Sequence, residues 1–419
     1  MNEMKSLTLN DKTYDSFVDG VARPLANASA VICSASGESI VLSDSSNMPL
    51  VGLNVYGKST QAGTPSINAP VDLVSVGSGG NMDVSVFSKN LLQNIATTQT
   101  INGVTFTVND SIVTVDGTIT DEFVQLEIGK MYCRANTPYA LSGCPSGGGR
   151  STYWLLLKSG KAFDYGTGTV FTYDVDTVTT VYLRLQRGIT ASGLTFRPMI
   201  RLASIANDTY ESYSSNSLSV YTANGLLGVP VSSGGNYTDA SGQKWCADEI
   251  DLERGVYIKR INKKTVTAET VITKHEYSND NFFVAIIRES QKNASTDCLS
   301  THFVKTTSGE ALRTSACVYC MSNMVNAIHV SVPTTIANDI TTFKNWAIAN
   351  NLVVYHILAT PIEIPLTDEE IAAYQALHTN KPSTTVLNDS GAYMTLKYVA
   401  DTKSYIENKV SGILPATVE

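Results

Sequence analysis

One stretch of the chain carries the letters of a phosphate-binding loop. Residues 52–59 read Gly-Leu-Asn-Val-Tyr-Gly-Lys-Ser, the pattern in which backbone amides cradle a nucleotide phosphate. That chemistry needs a loop that follows a strand and opens into a helix, because the amides at a helix start point at the anion. Here the residues between the glycines are mostly bulky and strand-like, and no helical pattern follows. We therefore expect a strand that ends in a Gly-Lys turn, and no bound cofactor.

Two cysteines three positions apart could contribute to a metal site. Cys317 and Cys320 form a C-x-x-C pair, whereas a structural zinc ion is held by a full tetrahedral set of ligands. The nearest further candidates are Cys298, His302 and His329, but their spacing matches no common zinc arrangement. Residues three apart on a strand also lie on opposite faces. We expect buried thiols and assign no metal ligand, with zinc as the alternative.

An acidic stretch invites comparison with glycosidases. Its carboxylates belong to Asp248, Glu249, Asp251 and Glu253. Glycoside hydrolysis uses two carboxylates about 5–10 Å apart. In an extended strand Glu249, Asp251 and Glu253 would line one side, with Asp248 on the other. Acids on an exposed hairpin are usually solvated, and that is the interpretation we favour.

The histidines provide no catalytic arrangement that the sequence can identify. They are spread along the chain at His275, His302, His329, His356 and His378. Their spacing selects no Ser/His/Asp set. We therefore assign no catalytic residue and predict that the chain is not an enzyme.

Aromatic and arginine side chains are plentiful between residues 88 and 213. Sugar-binding surfaces combine aromatic faces with planar polar groups, and exposed Tyr and Trp add contact area at low entropy cost. The candidates are Tyr132, Tyr139, Tyr153, Trp154, Tyr165, Tyr173, Tyr182, Arg134, Arg150 and Arg184. Aromatic residues are also typical of strands, so we favour the interpretation that most of them pack the core. A sugar-binding surface is the alternative, and we assign no ligand-binding residue.

The composition restricts the partners. The chain has 419 residues, enough for several domains, and 43% of them are hydrophobic. Only 16% are charged, against roughly 25% in typical soluble proteins, so Ser, Thr and Asn must supply much of the polar surface. A net charge of -8 argues against nucleic acid as a partner, since phosphate binding needs a basic face. No apolar run reaches the length of about 18 residues that membrane insertion requires.

Cysteine use indicates the compartment in which the chain folds. The seven cysteines are scattered, and an odd number suits no disulfide framework. Free thiols made in a reducing cytoplasm are therefore expected. The first residues, Met-Asn-Glu-Met-Lys-Ser-Leu-Thr-Leu, contain no apolar core of signal-peptide length.

Short β-like runs separated by Gly, Ser, Asn and Asp turns dominate the chain. This pattern predicts a mainly β fold of sandwich or jelly-roll modules, with a few short helices and a helical C-terminus. The densest series lies within residues 88–213, where strands are predicted at 104–108, 112–115, 123–126, 139–142, 153–157, 169–173, 180–186 and 195–202. Such a series suits a jelly roll.

The chain divides into regions by composition and pattern. These are 1–87, a β scaffold or attachment region; 88–213, a sandwich module; 214–265, a hairpin connector; 266–365, a β-rich unit with one helix; and 366–419, a helix-hairpin-helix region. A Gly- and Asn-rich boundary lies at 75–85.

Two short helices are predicted from capping signals and apolar spacing. In the later one, Thr367 can cap the first amides and Glu370 can reach back to it. Its apolar face consists of Ile371, Tyr374 and Leu377. The earlier helix has its apolar face at Ile336, Ile340, Phe343 and Ala347.

The residues after these helices are predicted to form a hairpin and a terminal helix. Strands at 384–387 and 393–399 flank a turn-prone Asn-Asp-Ser-Gly sequence. A helix at 401–414 follows, and apolar residues recur every seven positions at Val399, Ile406 and Ile413. Such a seam suits a coiled coil between copies of the chain, and a single packed helix is the alternative.

Several segments resemble tail proteins of phages and prophages of Gram-positive gut bacteria. Residues 359–389, which begin Ala-Thr-Pro-Ile-Glu-Ile-Pro-Leu-Thr-Asp-Glu-Glu, resemble a segment near the C-terminus of tail, baseplate and tail-fibre proteins. Residues 55–77 and 225–257 resemble other parts of such proteins. The sequence Leu-Thr-Phe-Arg-Pro-Met-Ile-Arg at 194–201, with Tyr-Glu-Ser-Tyr at 210–213, is similar to carbohydrate-binding-like sandwich modules in tail proteins.

The resemblance implies a virion protein that assembles and binds. It would be made in the host cytoplasm, carried in the phage tail and involved in adsorption to the host. Implied partners are other tail or baseplate proteins, further copies in a homotrimer, and a host-surface polysaccharide. A purely architectural tail protein and a tail-borne depolymerase are the alternatives. Because the resembling segments flank residues 88–213, we expect this module to be inserted into one discontinuous scaffold.

Overall fold

Antiparallel sheets make up most of the chain. The computed structural model describes residues 32–222, 224–321 and 326–400, together with the short strands Leu7–Leu9, Lys12–Tyr14, Phe17–Val18 and Val21–Ala22, which pair as two hairpins. The predicted mainly β fold is confirmed. The predicted terminal helix at 401–414 lies outside the described residues, as do Ile406 and Ile413 of its heptad seam, whereas Val399 is the last residue of the strand Tyr393–Val399.

Residues 88–213 fold into a sandwich with its own core. A five-stranded sheet has the order Gln93–Asn94, Phe123–Cys133, Thr177–Gln186, Tyr153–Leu157 and Phe163–Asp164. A four-stranded sheet has the order Gln99–Ile101, Val104–Asn109, Ile112–Thr118 and Thr190–Phe196. A three-stranded sheet has the order Thr169–Phe171, Tyr139–Ser142 and Met199–Leu202. Phe106, Leu155 and Phe196 are fully buried in the core of this module.

One strand predicted for this module is divided in the structure. Residues 195–202 include the end of Thr190–Phe196 and all of Met199–Leu202, which join different sheets. Pro198 lies in the break and has no amide to donate to a ladder. The single long strand of the prediction is therefore wrong.

Strands from both sides of the module share two further sheets. A seven-stranded sheet has the order Asn293–Ser300, Val353–Pro365, Val256–Thr265, Glu249–Asp251, Gly52–Tyr56, Tyr393–Val399 and Ile32–Gly37. A four-stranded sheet has the order Ser215–Tyr221, Asn81–Phe87, Thr384–Asn388 and Ser39–Leu42. This pairing is the one that the insertion hypothesis requires. We call residues 32–87 and 214–400 the scaffold.

The remaining strands extend the scaffold. Ser59–Gln61 pairs with Leu73–Ser75, and a three-stranded sheet has the order Gly228–Val231, Lys244–Ala247 and Tyr237–Thr238. Another four-stranded sheet has the order Ile272–Lys274, Phe282–Arg288, Ala327–Pro333 and Cys317–Cys320, beside the short 3-10 helix Gly309–Arg313. Because Val256–Thr265 and Val353–Pro365 are neighbours in the seven-stranded sheet, the predicted regions 214–265 and 266–365 share one sheet.

The later helix begins where its capping residues predict. It spans Asp368–Gln375, and the Thr367 hydroxyl accepts the amide of Glu370 at 3.2 Å. The Glu370 carboxylate accepts the amide of Thr367 at 2.9 Å, which completes a capping box. Tyr374 and Leu377 of its predicted apolar face are buried.

The earlier helix starts later than predicted. It spans Ile340–Ala349, because Asp339 accepts the amide of Thr342 at 2.7 Å and forms its cap. Ile336, predicted on its apolar face, precedes this cap. Phe343 is fully buried as expected.

The predicted hairpin at residues 384–399 is wrong. Thr384–Asn388 lies in the four-stranded sheet that contains Asn81–Phe87, whereas Tyr393–Val399 lies in the seven-stranded sheet. The turn between them carries the chain from one sheet to the other. The Asn388 side chain accepts the amide of Ala392 at 2.8 Å and donates to its carbonyl at 2.7 Å, which fixes that turn. A turn-prone sequence predicts a reversal, but not which sheet the next strand joins.

Candidate functional site

A cleft lies where the inserted module meets the scaffold. Its volume is about 490 Å³, in the range of small-molecule sites. Its walls include strand Phe123–Cys133 of the module and strands Asn81–Phe87 and Thr384–Asn388 of the scaffold. We call it the junction cleft and define it by Asp83, Ser85, Phe87, Leu91, Gln93, Lys130, Met131, Tyr132, Arg134, Tyr213, Leu387, Asn388 and Asp389.

Tyr132 is the exposed aromatic residue of the module wall. Its strand neighbours Met131 and Cys133 are buried, so strand alternation turns Tyr132 outward, and 46% of the residue is exposed. The Tyr132 hydroxyl donates to Asp176 Oδ2 at 2.6 Å, and Asp176 also accepts the amide of Ala135 at 2.7 Å. The bond to Asp176 raises the pKa of Tyr132 to about 12 and lowers the pKa of Asp176. The hydroxyl is thus held in place while much of the ring stays accessible.

Two carboxylates belong to the scaffold wall. The Asp83 amide donates to Asp389 Oδ1 at 3.0 Å, and the Asp389 amide donates to the carbonyl of Asp83 at 3.1 Å. Partial burial raises the pKa of Asp389, and the charge of Asp83 acts in the same direction. Ionised carboxylates accept hydrogen bonds, so this wall offers acceptors for ligand hydroxyls.

Arg134 connects the module with the scaffold. Its amide donates to the Tyr139 hydroxyl at 3.0 Å, which fixes the backbone at the end of the strand. Its guanidinium donates to the carbonyl of Asn388 at 3.3 Å. Arginine carries a planar fork of donors, so Arg134 also offers N–H groups to a ligand in the cleft.

A buried ion pair joins the entry and exit of the module where they meet the scaffold. Lys89 Nζ, with only 1% of its side chain exposed, lies 3.0 Å from Glu211 Oε1. Glu211 also accepts the hydroxyl of Ser383 at 2.7 Å, so the entry and exit of the module meet the scaffold at one carboxylate. The rings of Phe87 and Tyr213 pack beside this point, 6.3 Å apart. A cleft that is already shaped before binding lowers the entropic cost of binding.

The structure separates the sequence candidates for sugar contact. Tyr132 and Arg134 line the junction cleft. Tyr139, Trp154 and Tyr173 are buried in the module, as the core alternative predicts. The others form hydrogen bonds within the module: Tyr153, Tyr165, Tyr182, Arg150 and Arg184.

Sequence reasoning missed the scaffold half of the cleft. Alternation along Asn81–Phe87 could have shown that Asp83, Ser85 and Phe87 share a face. No local signal connects that face with Asp389, which lies 306 positions after Asp83 in the chain.

The phosphate-loop pattern forms no nucleotide-binding loop. Gly52–Tyr56 is a strand, and the chain enters the next strand at Ser59–Gln61, so the helix that the motif requires is absent from these residues. Lys58 Nζ lies 3.3 Å from Glu38 Oε1 and 5.6 Å from the centroid of the Trp245 ring. The predicted strand is confirmed, and Gly57 and Lys58 connect it to the next strand without forming an assigned turn.

The C-x-x-C cysteines are buried thiols, as expected. All seven cysteines are free. Cys317 and Cys320 belong to different buried clusters, which agrees with opposite faces of one strand. A hydrogen bond with Cys298, together with burial, raises the pKa of Cys320. Within residues 32–222, 224–321 and 326–400, no three His, Cys, Asp or Glu side chains could together hold a metal ion.

Two residues of the acidic stretch are buried, which corrects the expectation of solvated acids. Asp248 accepts the Tyr257 hydroxyl at 2.8 Å and the amides of Arg260 and Ile261 at 2.7 and 2.8 Å. Burial raises the pKa of Asp248 to about 6. Glu249 lies 2.7 Å from Arg260 in an ion pair. These contacts give both carboxylates a structural role.

The other acids and the histidines are dispersed over the scaffold. Asp251 ends a strand of the seven-stranded sheet, and Glu253 lies at the surface, 2.8 Å from Lys397. His275 and His329 are in ring contact, with 5.0 Å between centroids. The remaining histidines contact other neighbours: His302, His356 and His378.

Comparison with known proteins gives no match: no protein family, no curated protein and no solved structure is similar to this chain. Neither α-helix in the described part of the chain has the length and hydrophobicity needed to cross a bilayer.

Proposed function

We propose that this protein is a structural component of a phage tail, in the baseplate or a tail fibre, and that its inserted module helps to recognise a polysaccharide on the host surface. The chain acts by assembly and binding rather than by catalysis. It is made in the host cytoplasm and carried in the virion. Its partners are other tail proteins and, in a homotrimer, further copies of itself.

The tail-protein-like segments come together in the scaffold, which supports a shared origin of that unit. Val55 of one segment pairs with Ile250 of another across adjacent strands. Both side chains are fully buried in the same core as Tyr374 of the third segment. Three resembling segments that form one core support a common scaffold better than three isolated similarities.

The observation that carries the binding proposal is the exposed and fixed ring of Tyr132. An aromatic ring offers an apolar face, and a sugar ring has apolar C–H faces that can stack on it. Arg134 supplies a donor and Asp389 an acceptor in the same cleft. Because Asp176 already holds the Tyr132 hydroxyl, the ring loses little freedom when a ligand binds.

Adhesion by several copies compensates for weak single contacts. Copies on a symmetric particle engage a polymer at a high effective concentration, so avidity exceeds the affinity of one cleft. The fixed junction between module and scaffold would present each cleft in the same orientation.

Binding of the labelled full chain to intact Gram-positive gut bacteria tests this function. Wild-type protein should bind a subset of strains, and Tyr132→Ala should weaken binding by about tenfold, which corresponds to about 1.4 kcal/mol per site. Tyr221→Ala is the matched control, because Tyr221 is 67% exposed but lies outside the cleft. No binding by the wild type would favour the purely architectural alternative. Equal loss in both variants would exclude the junction cleft as the site.

The carboxylates of the cleft favour a depolymerase as the second candidate. A glycosidase needs a carboxyl with a raised pKa as general acid beside a second carboxylate. Asp389 has the raised pKa and Asp83 lies beside it. If the chain cleaves host polysaccharide, wild-type protein should release reducing ends and Asp389→Asn should not. Absence of reducing ends with binding retained would leave adhesion as the function.

A further inference from the structure

A second cleft lies on the inserted module and shares no lining residue with the junction cleft. Its volume is about 610 Å³, and the three-stranded sheet and the loops at 143–145 and 166–168 contribute to its lining. We call it the arginine cleft, after Arg197 and Arg201.

The outer face of the three-stranded sheet contributes the floor of the arginine cleft. Leu141 and Ile200 are fully buried in the module core. Their neighbours along the strands, Ser142 and Arg201, therefore lie on the opposite face. Arg201 is paired with Ala140, whose small side chain leaves room above the sheet.

A buried carboxylate holds the loops beside this floor. Asp164, with no exposed surface, accepts the amides of Cys144, Gly166 and Gly168, each at 2.8 Å. Gly166 and Gly168 have φ values of +106° and +74°, which glycine adopts without strain. The hydrogen bonds to Asp164 therefore hold these two loops in one conformation.

Within the described residues, the guanidinium groups of Arg197 and Arg201 have no protein partner, although Asp208 also lines this cleft. Within the described ranges, neither guanidinium forms an ion pair or donates a hydrogen bond, although the chain has a net charge of -8. Arg201 Nε and Ser142 Oγ are moreover buried without a hydrogen-bond partner there. Buried polar atoms are nearly always hydrogen-bonded, so a ligand with acceptor oxygens would satisfy both.

We propose that the arginine cleft binds a carboxylate or phosphate group. The planar donor fork of arginine matches either group, and charge-assisted hydrogen bonds are the stronger kind. The Ser142 hydroxyl adds a further donor at the floor. We assign the carboxylate or phosphate group to an acidic glycan. This choice of ligand rests on the proposed function, whereas the existence of an anion-binding site does not.

Titration calorimetry of the full chain tests the anion site. The probes are a short oligogalacturonate, which carries carboxylates, a glycerol phosphate oligomer, which carries phosphates, and a neutral maltooligosaccharide. At least one charged oligomer should bind, and its identity distinguishes the two sources of charge. Its affinity should fall by about tenfold in Arg197→Gln and in Arg201→Gln, the scale of one lost charge-assisted hydrogen bond.

Arg187→Gln is the matched control, because Arg187 is an exposed arginine of the same module outside both clefts. It should bind the charged probe as the wild type does, and so should Tyr132→Ala. Because Arg197 is exposed, its replacement keeps the core intact, which a thermal melt verifies. The inference is overturned if neither charged oligomer binds, if the neutral oligomer binds equally well, or if Arg187→Gln loses as much affinity. Loss of cell binding alone would count against the proposed function and not against the anion site.

Discussion

Two carboxylates each connect separate parts of the fold. Asp248 gathers the hydroxyl of Tyr257 and the amide of Ile261 in the seven-stranded sheet. Glu211 joins Lys89 to Ser383 where the module meets the scaffold. Because protein groups already occupy both carboxylates, we expect their replacement to change the free energy of unfolding rather than the affinity for a ligand.

The titration of Asp248 should make stability depend on pH. Its pKa is raised to about 6 in the folded protein, above the roughly 3.9 of an unfolded aspartate. Between these values the folded state keeps a proton that the unfolded state has lost, so the free energy of unfolding falls as pH rises from about 4 to about 6.

Asp248→Asn removes this titration. The free energy of unfolding of the wild type minus that of the variant should therefore fall by up to about 3 kcal/mol over that pH range. Urea unfolding at a series of pH values measures the difference. A difference that stays constant with pH would contradict the raised pKa.

Removing the charge of Glu211 should destabilise the junction. Glu211→Gln leaves the ammonium of Lys89 buried without its counter-charge, which typically costs about 3–5 kcal/mol. Urea unfolding followed by tryptophan fluorescence measures the loss. Glu363→Gln breaks an exposed pair with Arg254 and should cost far less, because water and salt screen exposed charges. Equal effects of the two changes would refute a structural role for the buried pair.

At the scale of elements, local patterns predict where strands and helices lie but not what they contact. The predicted bounds are correct for strands Tyr139–Ser142 and Tyr153–Leu157, because strand alternation and turns depend on residues that are close in sequence. The hairpin at 384–399 failed because the second strand finds its partners in a different sheet. Half of the junction cleft escaped prediction for the same reason, since Asp83 and Asp389 meet only through sheet pairing.

The capping box of the later helix should contribute measurably to stability. Thr367→Ala removes the hydroxyl that accepts the amide of Glu370, which should cost about 1 kcal/mol in the free energy of unfolding. Thr209→Ala is the control, because Thr209 is an exposed threonine outside the helices. Thermal and urea unfolding measure both. A Thr367→Ala protein as stable as the control variant would show that the cap is dispensable.

In the described part of the chain, strands from both sides of residues 88–213 pair in shared sheets. Phe87 and Ser215 are paired neighbours in adjacent strands, so the two ends of the insertion leave the scaffold side by side. From the resemblance on both flanks of the module, the sequence analysis predicted an insertion, and the pairing is what that prediction requires. The cleft between the two bodies depends on how they dock, which no local pattern encodes.

The module should therefore be removable. Replacing residues 88–214 with an Asn-Gly turn connects two strands that are already paired, and such turns join antiparallel strands well. The shortened scaffold should unfold cooperatively, and native mass spectrometry should show the few, low charge states of a folded protein. A shortened scaffold that aggregates or lacks tertiary structure would argue against independent folding of the scaffold.

Binding of the full chain to a panel of purified bacterial surface polysaccharides tests the role of the junction cleft most directly. At least one polysaccharide should bind the wild type and the Tyr221→Ala variant alike, and Tyr132→Ala should weaken that binding by about tenfold. If the whole panel fails to bind, or if Tyr132→Ala binds as the wild type does, the junction cleft is not a glycan site.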